Sequence, residues 1–424
     1  MANARLVAVN ALFKINKEKA YSNLTLDKLF SSADLSPKDK ALATALVYGV
    51  LDRKITIDYI ISKLSKTPLK KLSPLTVEAI RIGIYQLMFM ERIPESAAVN
   101  ESVNIIKRSK ESRNSGFVNA ILRNFIRNPI ELPKGDDIHS LSVRFSCPEW
   151  IIKGFLDDYG TKDTVKLLEA SLLSPPVILR VNTLKTTTEQ LLELLKDEGI
   201  TAKHTDIKDA LEIEGGIDIK NSKLYRDGYF FVQDTASQTV VKILSPKPNE
   251  KVLDICSAPG GKTFTTALLM ENKGEITACD LYEQRLCLVK RSAERLGLDI
   301  IKTKVNDATK VNKEFKDFDA VLCDVPCSGL GALRRKPEIK YKEITDFSEI
   351  EAIGRTILQN AVCYLKKGGR ILYSTCTLRK AENENVVAEF LEKNKNFKLS
   401  CSHTFMPHLD NTDGFFCALL ENID

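Results

Sequence analysis

Two cysteines, Cys327 and Cys376, stand in settings that can turn a thiol into a nucleophile. The first lies in Asp324-Val-Pro326-Cys327-Ser328-Gly-Leu-Gly331, the second in Tyr373-Ser-Thr375-Cys376-Thr377. A lone cysteine is usually an inert apolar filler. Each of these, however, follows a strand-like apolar run, in the kind of loop where open α/β sheets bind ligands. A third such run leads into Cys256-Ser257-Ala258-Pro259-Gly260-Gly261-Lys262-Thr263, where two glycines without Cβ allow a ligand close to the backbone. His139, His204, His403 and His408 all lie far from these loops in the sequence. A Cys-His or Ser-His-Asp hydrolase is therefore poorly supported.

Three chemistries compete for the glycine loop. A dinucleotide site needs Gly-x-Gly-x-x-Gly, which is absent. A phosphate loop needs Gly-x-x-x-x-Gly-Lys-Thr, and Gly261-Lys262-Thr263 matches only its end. The required first glycine falls on Cys256, and Pro259 removes a backbone donor from the phosphate cradle. S-adenosylmethionine, a cation without phosphates, needs close backbone and acids instead. Asp280 closes the second strand 20 residues after Gly260, where a carboxylate can accept both ribose hydroxyls. Asp307 follows the third strand, within reach of an adenine edge. One such aspartate is ordinarily a cap or a turn residue; with Asp324, three strand-end acids recur in register.

A methyl donor beside a thiolate suits carbon 5 of a pyrimidine, which is too weak a nucleophile on its own. A thiolate adding to carbon 6 makes carbon 5 an enamine carbon able to attack the methyl. A proton offered toward N3 of cytosine helps that addition, and Asp324, in the loop of Cys327, is the candidate donor. A base then removes the carbon-5 proton and the thiolate leaves. Amino-group methyltransferases carry an Asn/Asp-Pro-Pro-aromatic loop, whereas this loop reads Asp-Val-Pro-Cys. Which thiol attacks is open at this point.

The elements that must hold these loops are legible in outline. The front third reads as helices: Leu42, Ala45, Leu46, Gly49 and Val50 form one stripe, and Phe117, Val118, Ile121, Leu122 and Phe125 another. Ser36-Pro37 and Ser73-Pro74 each place a capping hydroxyl before a proline at the first helical position. Pro129, Pro133 and Gly135 mark a linker. Val177–Asn182 reads as a strand and Glu189–Asp197 as a helix. From Glu250, strand-like runs at Lys251–Ile255, Glu275–Asp280, Ile301–Asn306, Asp319–Asp324 and Gly369–Ser374 alternate with helices, which implies a parallel, doubly wound α/β sheet. The expected domains are a helical RNA-binding bundle over 1–130, a linker over 131–140, a small α+β RNA-binding module over 141–235 and a catalytic domain over 236–424.

Residues 1–130 hold 21 Lys/Arg against 11 Asp/Glu, while the other 294 hold 41 against 45. A basic front on a slightly acidic body suits a polyanion, though a solvated helical face reads the same way. Ten cysteines without a Cys-x-x-Cys pair argue against zinc ribbons and thioredoxin-like sites and fit a reducing compartment. No apolar run approaches the roughly 18 residues of a membrane span, and the Arg5–Phe13 stretch lacks the features of an export signal. The expectation is a cytoplasmic monomer without metal or membrane.

Taken together, Cys-Ser-Ala-Pro-Gly-Gly-Lys-Thr, Asp-Val-Pro-Cys-Ser-Gly and Ser-Thr-Cys-Thr resemble the RNA (cytosine-C5)-methyltransferase family. Arg180-Val-Asn182, Gln233-Asp234, Arg334–Lys340 and Asp413–Phe416 add to the match. The front, through Lys40–Val50 and Phe117–Asn124, is similar to the N-utilisation-substance B antitermination factor, so the resemblance covers essentially the whole chain. It implies a Rossmann-like methyltransferase domain behind an all-helical bundle and a small α+β module. It implies further that Cys376 attacks and Cys327 assists product release. Cys256, Ser257, Ala258, Pro259, Gly260, Gly261 and Lys262, with Asp280, Asp307 and Asp324, would hold S-adenosylmethionine, and the substrate would be a cytosine of 16S ribosomal RNA. Ser257, Val325, Thr377 and Lys336 depart from the usual alanine, smaller residue, serine and histidine. A non-catalytic RNA-binding assembly factor, or action on another RNA, are the competing readings; a pure binder has no use for the paired cysteines.

Overall fold

The computed structural model describes residues 3–18, 20, 22–215, 219–342 and 346–423. They form two compact units, Met1–Leu173 with Leu333–Glu343, and Ser174–Ala332 with Ile344–Asp424.

The first unit is helical, with helices at Ala4–Glu18, Pro37–Asp52, Lys54–Leu64, Pro74–Phe89, Glu95–Lys107 and Ser115–Arg127 among others. They close over Leu12, Leu46, Val50, Ile57, Ile60, Ile80 and Leu122, all buried. The stripe expected on Pro37–Asp52 is turned by one residue: Ala43, Leu46, Val47, Val50 and Leu51 are buried and Ala45 is exposed. Gly49 lies under the Tyr85 ring, where a Cβ would stand 2.0 Å from Cζ. Ser36 caps as expected, accepting the Asp39 N–H at 3.2 Å. Ser73 makes no side-chain cap; instead Glu111 Oε2 accepts the Thr76 N–H at 3.1 Å. A carboxylate carries full charge to the helix N-terminus, which a hydroxyl does not.

The following helices, Ile138–Phe145 and Glu149–Ser171, belong to the same unit. Thr56 donates to the Val143 carbonyl at 2.6 Å, and Ser146 Oγ accepts the Ile55 N–H at 2.9 Å. Segment 333–342 packs on this bundle too. The Tyr341 hydroxyl donates to the Leu51 carbonyl at 2.7 Å, and the buried Lys340 Nζ sits 3.6 Å from Asp52 Oδ1.

The second unit holds two sheets. β1 (Val177–Val181), β2 (Ala202–His204), β3 (Ala210–Ile213) and β4 (Phe230–Val232) make an antiparallel sheet in the order β2-β3-β1-β4. Its helix Thr188–Asp197 opens on a capping box between Thr187 and Gln190. The larger sheet takes β5 (Lys251–Asp254), β6 (Glu275–Asp280), β7 (Ile301–Val305), β8 (Phe318–Asp324), β9 (Leu365–Thr375), β10 (Phe397–Phe405) and β11 (Phe415–Asn422). Their order is β10-β11-β9-β8-β5-β6-β7.

β9-β8-β5-β6-β7 is parallel as expected, but β11 pairs antiparallel with β9 and β10 antiparallel with β11. The two antiparallel strands extend the expected parallel sheet at that edge. β10 is exposed from Lys398 to His403, so its polar sequence carries no apolar run to announce it. No helix among the described residues is long and apolar enough to cross a membrane.

Candidate active site

β5 delivers Asp254, 1% exposed, to the base of the glycine loop, where Thr263 Oγ1 donates to its Oδ2 at 2.6 Å. The loop is pinned to β6 because Ser257 N–H donates to the Cys279 carbonyl at 2.7 Å. Gly260 turns at φ +111°, and a Cβ there would meet the Phe264 ring at 2.2 Å. No other residue fits that position. The helix after it runs Gly261–Leu269.

A cavity of about 210 Å³ opens beside this loop, lined by Gln233, Asp234, Asp254, Ser257, Lys262 and Asp324 among others. Three buried polar atoms on its walls, Gln233 Nε2, Asp254 Oδ1 and Ser257 Oγ, have no hydrogen-bond partner. Native structures rarely leave such atoms unmet, so a polar ligand at this position answers a need of the fold. Burial pushes the Asp254 carboxyl up to about 7.

Most of the expected cofactor residues converge here. Cys256, Ser257, Ala258, Pro259, Gly261, Lys262 and Asp324 line the cavity, and Gly260 shapes its turn. Lys262 Nζ stands 2.7 Å from Asp324 Oδ2, and Ser374 Oγ donates to Asp324 Oδ1 at 2.9 Å.

Asp280 and Asp307 do not line that cavity. Asp280 accepts the Tyr282 N–H at 3.1 Å and pairs with Arg285 at 2.9 Å. Arg285 in turn donates to the Ala258 carbonyl at 2.8 Å, linking Asp280 to the glycine loop. Asp307 accepts from Thr309 at 2.6 Å and sits 3.1 Å from Lys310. These contacts hold its carboxylate below the ordinary range, the Thr309 hydrogen bond first among them.

The two thiols meet: Cys327 Sγ lies 3.2 Å from Cys376 Sγ. Adjacent parallel strands β8 and β9 bring their loops side by side, where two contacts join them and a third ties the β8 loop to Gly414. Ser328 Oγ and Thr377 Oγ1 are 2.7 Å apart, Gly331 N–H donates to the Cys376 carbonyl at 3.0 Å, and Gly414 N–H donates to the Gly331 carbonyl at 2.9 Å. A Cβ on Gly331 would meet the Gly414 carbonyl oxygen at 1.8 Å, so this approach requires glycine. Cys327 is pushed well above the usual thiol range, first by its hydrogen bond with Cys376 and then by burial.

Four residues of the site were not assigned from the sequence. Gln233 and Asp234, noted there only as a motif, form one cavity wall; Gln233 Oε1 accepts from Thr265 at 2.6 Å, and Asp234 caps the helix Thr235–Leu244. Ser374 was visible as the residue two before Cys376. Asp254 carried a signal too, as an acid ending an otherwise apolar strand. By contrast, Asn182 of the Arg-Val-Asn motif braces the module, donating to the Gly228 and Leu296 carbonyls, both at 2.8 Å.

Residues 241–421 match the family described as 16S rRNA methyltransferase RsmB/F. Residues 2–127 match the NusB family, and 147–220 the ferredoxin-like domain of RsmF/B-like methyltransferases. The chain is 36% identical to the probable ribosomal RNA small subunit methyltransferase B of Bacillus subtilis, over 98% of each chain. It is 32% identical to the ribosomal RNA small subunit methyltransferase B of Proteus mirabilis, over 99% of this chain and 98% of that one. The crystal structure of PH0851 superposes with a TM-score of 0.85 at 26% identity, over 100% of this chain and 99% of the other.

Proposed function

The chain belongs to the ribosomal RNA small subunit methyltransferase B family, and from that premise we propose that it methylates carbon 5 of a cytosine in 16S ribosomal RNA through a covalent bond from Cys376 to carbon 6. The enzyme is an RNA methyltransferase that uses S-adenosylmethionine, which supplies an electrophilic methyl group.

The observation that carries the proposal is the 3.2 Å contact between two thiols on loops that leave adjacent strands beside the Asp324 cavity. Addition of Cys376 to carbon 6 makes carbon 5 nucleophilic. Asp324, with one oxygen on Lys262 and the other on Ser374, is held in place beside the base. It is the group we assign to hand a proton toward N3 of the cytosine as the thiolate adds. After transfer the carbon-5 proton is removed, carbon 5 regains its double bond, and Cys376 leaves as thiolate. Cys327, in contact with that sulfur, assists this last step.

For the donor, Gln233 Nε2, Asp254 Oδ1 and Ser257 Oγ offer unmet hydrogen bonds. Residues 256–262 offer close backbone, and Asp280 and Asp307 lie at neighbouring strand ends. The test is incubation with labelled S-adenosylmethionine and unmodified 16S RNA, followed by nucleoside analysis. Label in 5-methylcytidine is the expected result. RNA binding without label transfer would instead favour an assembly factor.

A further inference from the structure

Glu382 is buried, 3% exposed, on the turn Lys380–Glu382 that follows the Cys376 loop. Its Oε2 accepts the backbone N–H of Ser328, the residue after Cys327, at 2.7 Å. Its Oε1 accepts from Arg379 Nη1 at 3.0 Å, and its own carbonyl accepts the Tyr373 hydroxyl at 2.6 Å. Arg379 is held in turn by Glu351 at 3.0 Å and lies 4.0 Å over the Phe347 ring. The carboxylate is thus held through both oxygens, one on Arg379 and the other on a backbone amide beside Cys327. A bond of this kind to an ionised acceptor is roughly twice as strong as a neutral one.

Fastening the amide needs only an acceptor, and a glutamine would supply one. The carboxylate also sets a negative charge next to Cys327, which adds to the rise in that thiol. Two thiols 3.2 Å apart that lose one proton to solvent keep the other as S–H···S⁻. A like charge disfavours the thiolate nearest to it. At the foot of the Cys327 loop Asp324 is paired with Lys262, so the two charges offset each other. Tyr373 is kept neutral by burial, and Arg379 is shared between Glu382 and Glu351. Arg355 pairs with Glu389 at 2.9 Å.

We propose that Glu382 is a positioning residue for the thiol pair: through the Ser328 amide it holds Cys327 against Cys376, and its charge keeps the remaining proton on Cys327, so that Cys376 carries the thiolate. The inference rests on the reading of Cys376 as the nucleophile.

Alkylation of the full-length protein near neutral pH separates the two ideas, because only a thiolate displaces iodide from iodoacetamide. Peptide mass spectrometry should find Cys376 modified well before Cys327. Glu382→Gln keeps an acceptor and removes the charge. It should lower the Cys376-to-Cys327 preference by about tenfold, the equivalent of one pKa unit, and reduce kcat while KM for RNA stays within about twofold. Glu382→Asp should recover part of the preference. Calorimetry with S-adenosylmethionine is the control for folding. An unchanged preference in a Gln variant that binds the cofactor overturns the inference, and so does loss of cofactor binding in both variants, which marks a merely structural role. Modification of Cys327 first in the wild type overturns instead the assignment of Cys376.

Discussion

Lys262 Nζ lies 2.7 Å from Asp324 Oδ2, although the two residues are 62 positions apart. The ion pair distinguishes two readings of the same loop. In a phosphate loop the terminal lysine faces the phosphates with its charge free. Here the ammonium is neutralised by an acid and also rests 4.6 Å over the Phe415 ring. Titration with magnesium-ATP should therefore give no binding heat under conditions where S-adenosylmethionine binds. Competition between the two ligands would return the loop to the nucleotide class.

Asp280 sits beside the glycine loop with Arg285 between it and the Ala258 carbonyl. If its carboxylate accepts the ribose hydroxyls, Asp280→Ala should weaken S-adenosylmethionine by roughly 1.5–3 kcal/mol, and Arg285→Ala should leave affinity nearly unchanged. If Asp280 acts only by aiming Arg285 at the loop, both variants should weaken binding equally. Calorimetry on the pair decides between a ligand and a brace.

Strand-end residues were legible because a buried parallel strand writes itself as an apolar run, and its last residue faces the ligand edge of the sheet. Cys327, Cys376, Asp324 and the 256–262 loop were found in that way. Glu382 and Ser374 were not, because their roles come from the pairing of β8 with β9, which one sequence does not display. The failure at Ser73 has a similar cause: its local cap signal was sound, but Glu111, 35 residues after Thr76, supplied a stronger acceptor. On Pro37–Asp52 the apolar positions fit two overlapping stripes, and the bundle buries the one through Ala43, Val47 and Leu51.

Asp254 offers a pH signature. Its carboxyl is pushed by burial from the ordinary acid range up to about 7, so the folded state binds a proton that the unfolded chain has already lost. The stability this gives is complete below about pH 4 and falls as pH rises through 7, at about 1.4 kcal/mol per unit. Asp254→Asn cannot ionise and keeps an acceptor for Thr263. Without cofactor, thermal melting of the wild type should fall from pH 5 to pH 8 more steeply than that of the variant. Asp52, also raised by burial to about 6, is common to both proteins and cancels in the comparison. Parallel pH profiles would show that Asp254 is already ionised in the fold.

The contact between Cys327 and Cys376 makes their separate roles testable, which a shared label of reactive cysteine does not. If Cys376 attacks carbon 6, Cys376→Ala should abolish turnover and form no covalent adduct, because the enamine never arises. If Cys327 serves the elimination, Cys327→Ala still permits attack and methyl transfer. The methylated base then stays bonded to Cys376, since the carbon-5 proton is lost too slowly to expel the thiolate. That adduct should survive denaturing gel electrophoresis and carry both the RNA and the transferred methyl. The double variant should show none, as trapping requires the nucleophile. Two structural cysteines predict something else: modest stability losses in each single variant and a shifted band in neither. Exchanged roles predict the adduct in Cys376→Ala and its absence in Cys327→Ala. With the sulfurs 3.2 Å apart either can reach one base, so the gel band, and not proximity, assigns the nucleophile. The Glu382 charge beside Cys327 argues for the adduct in Cys327→Ala, because it disfavours a thiolate there and leaves Cys376 the easier of the two to ionise.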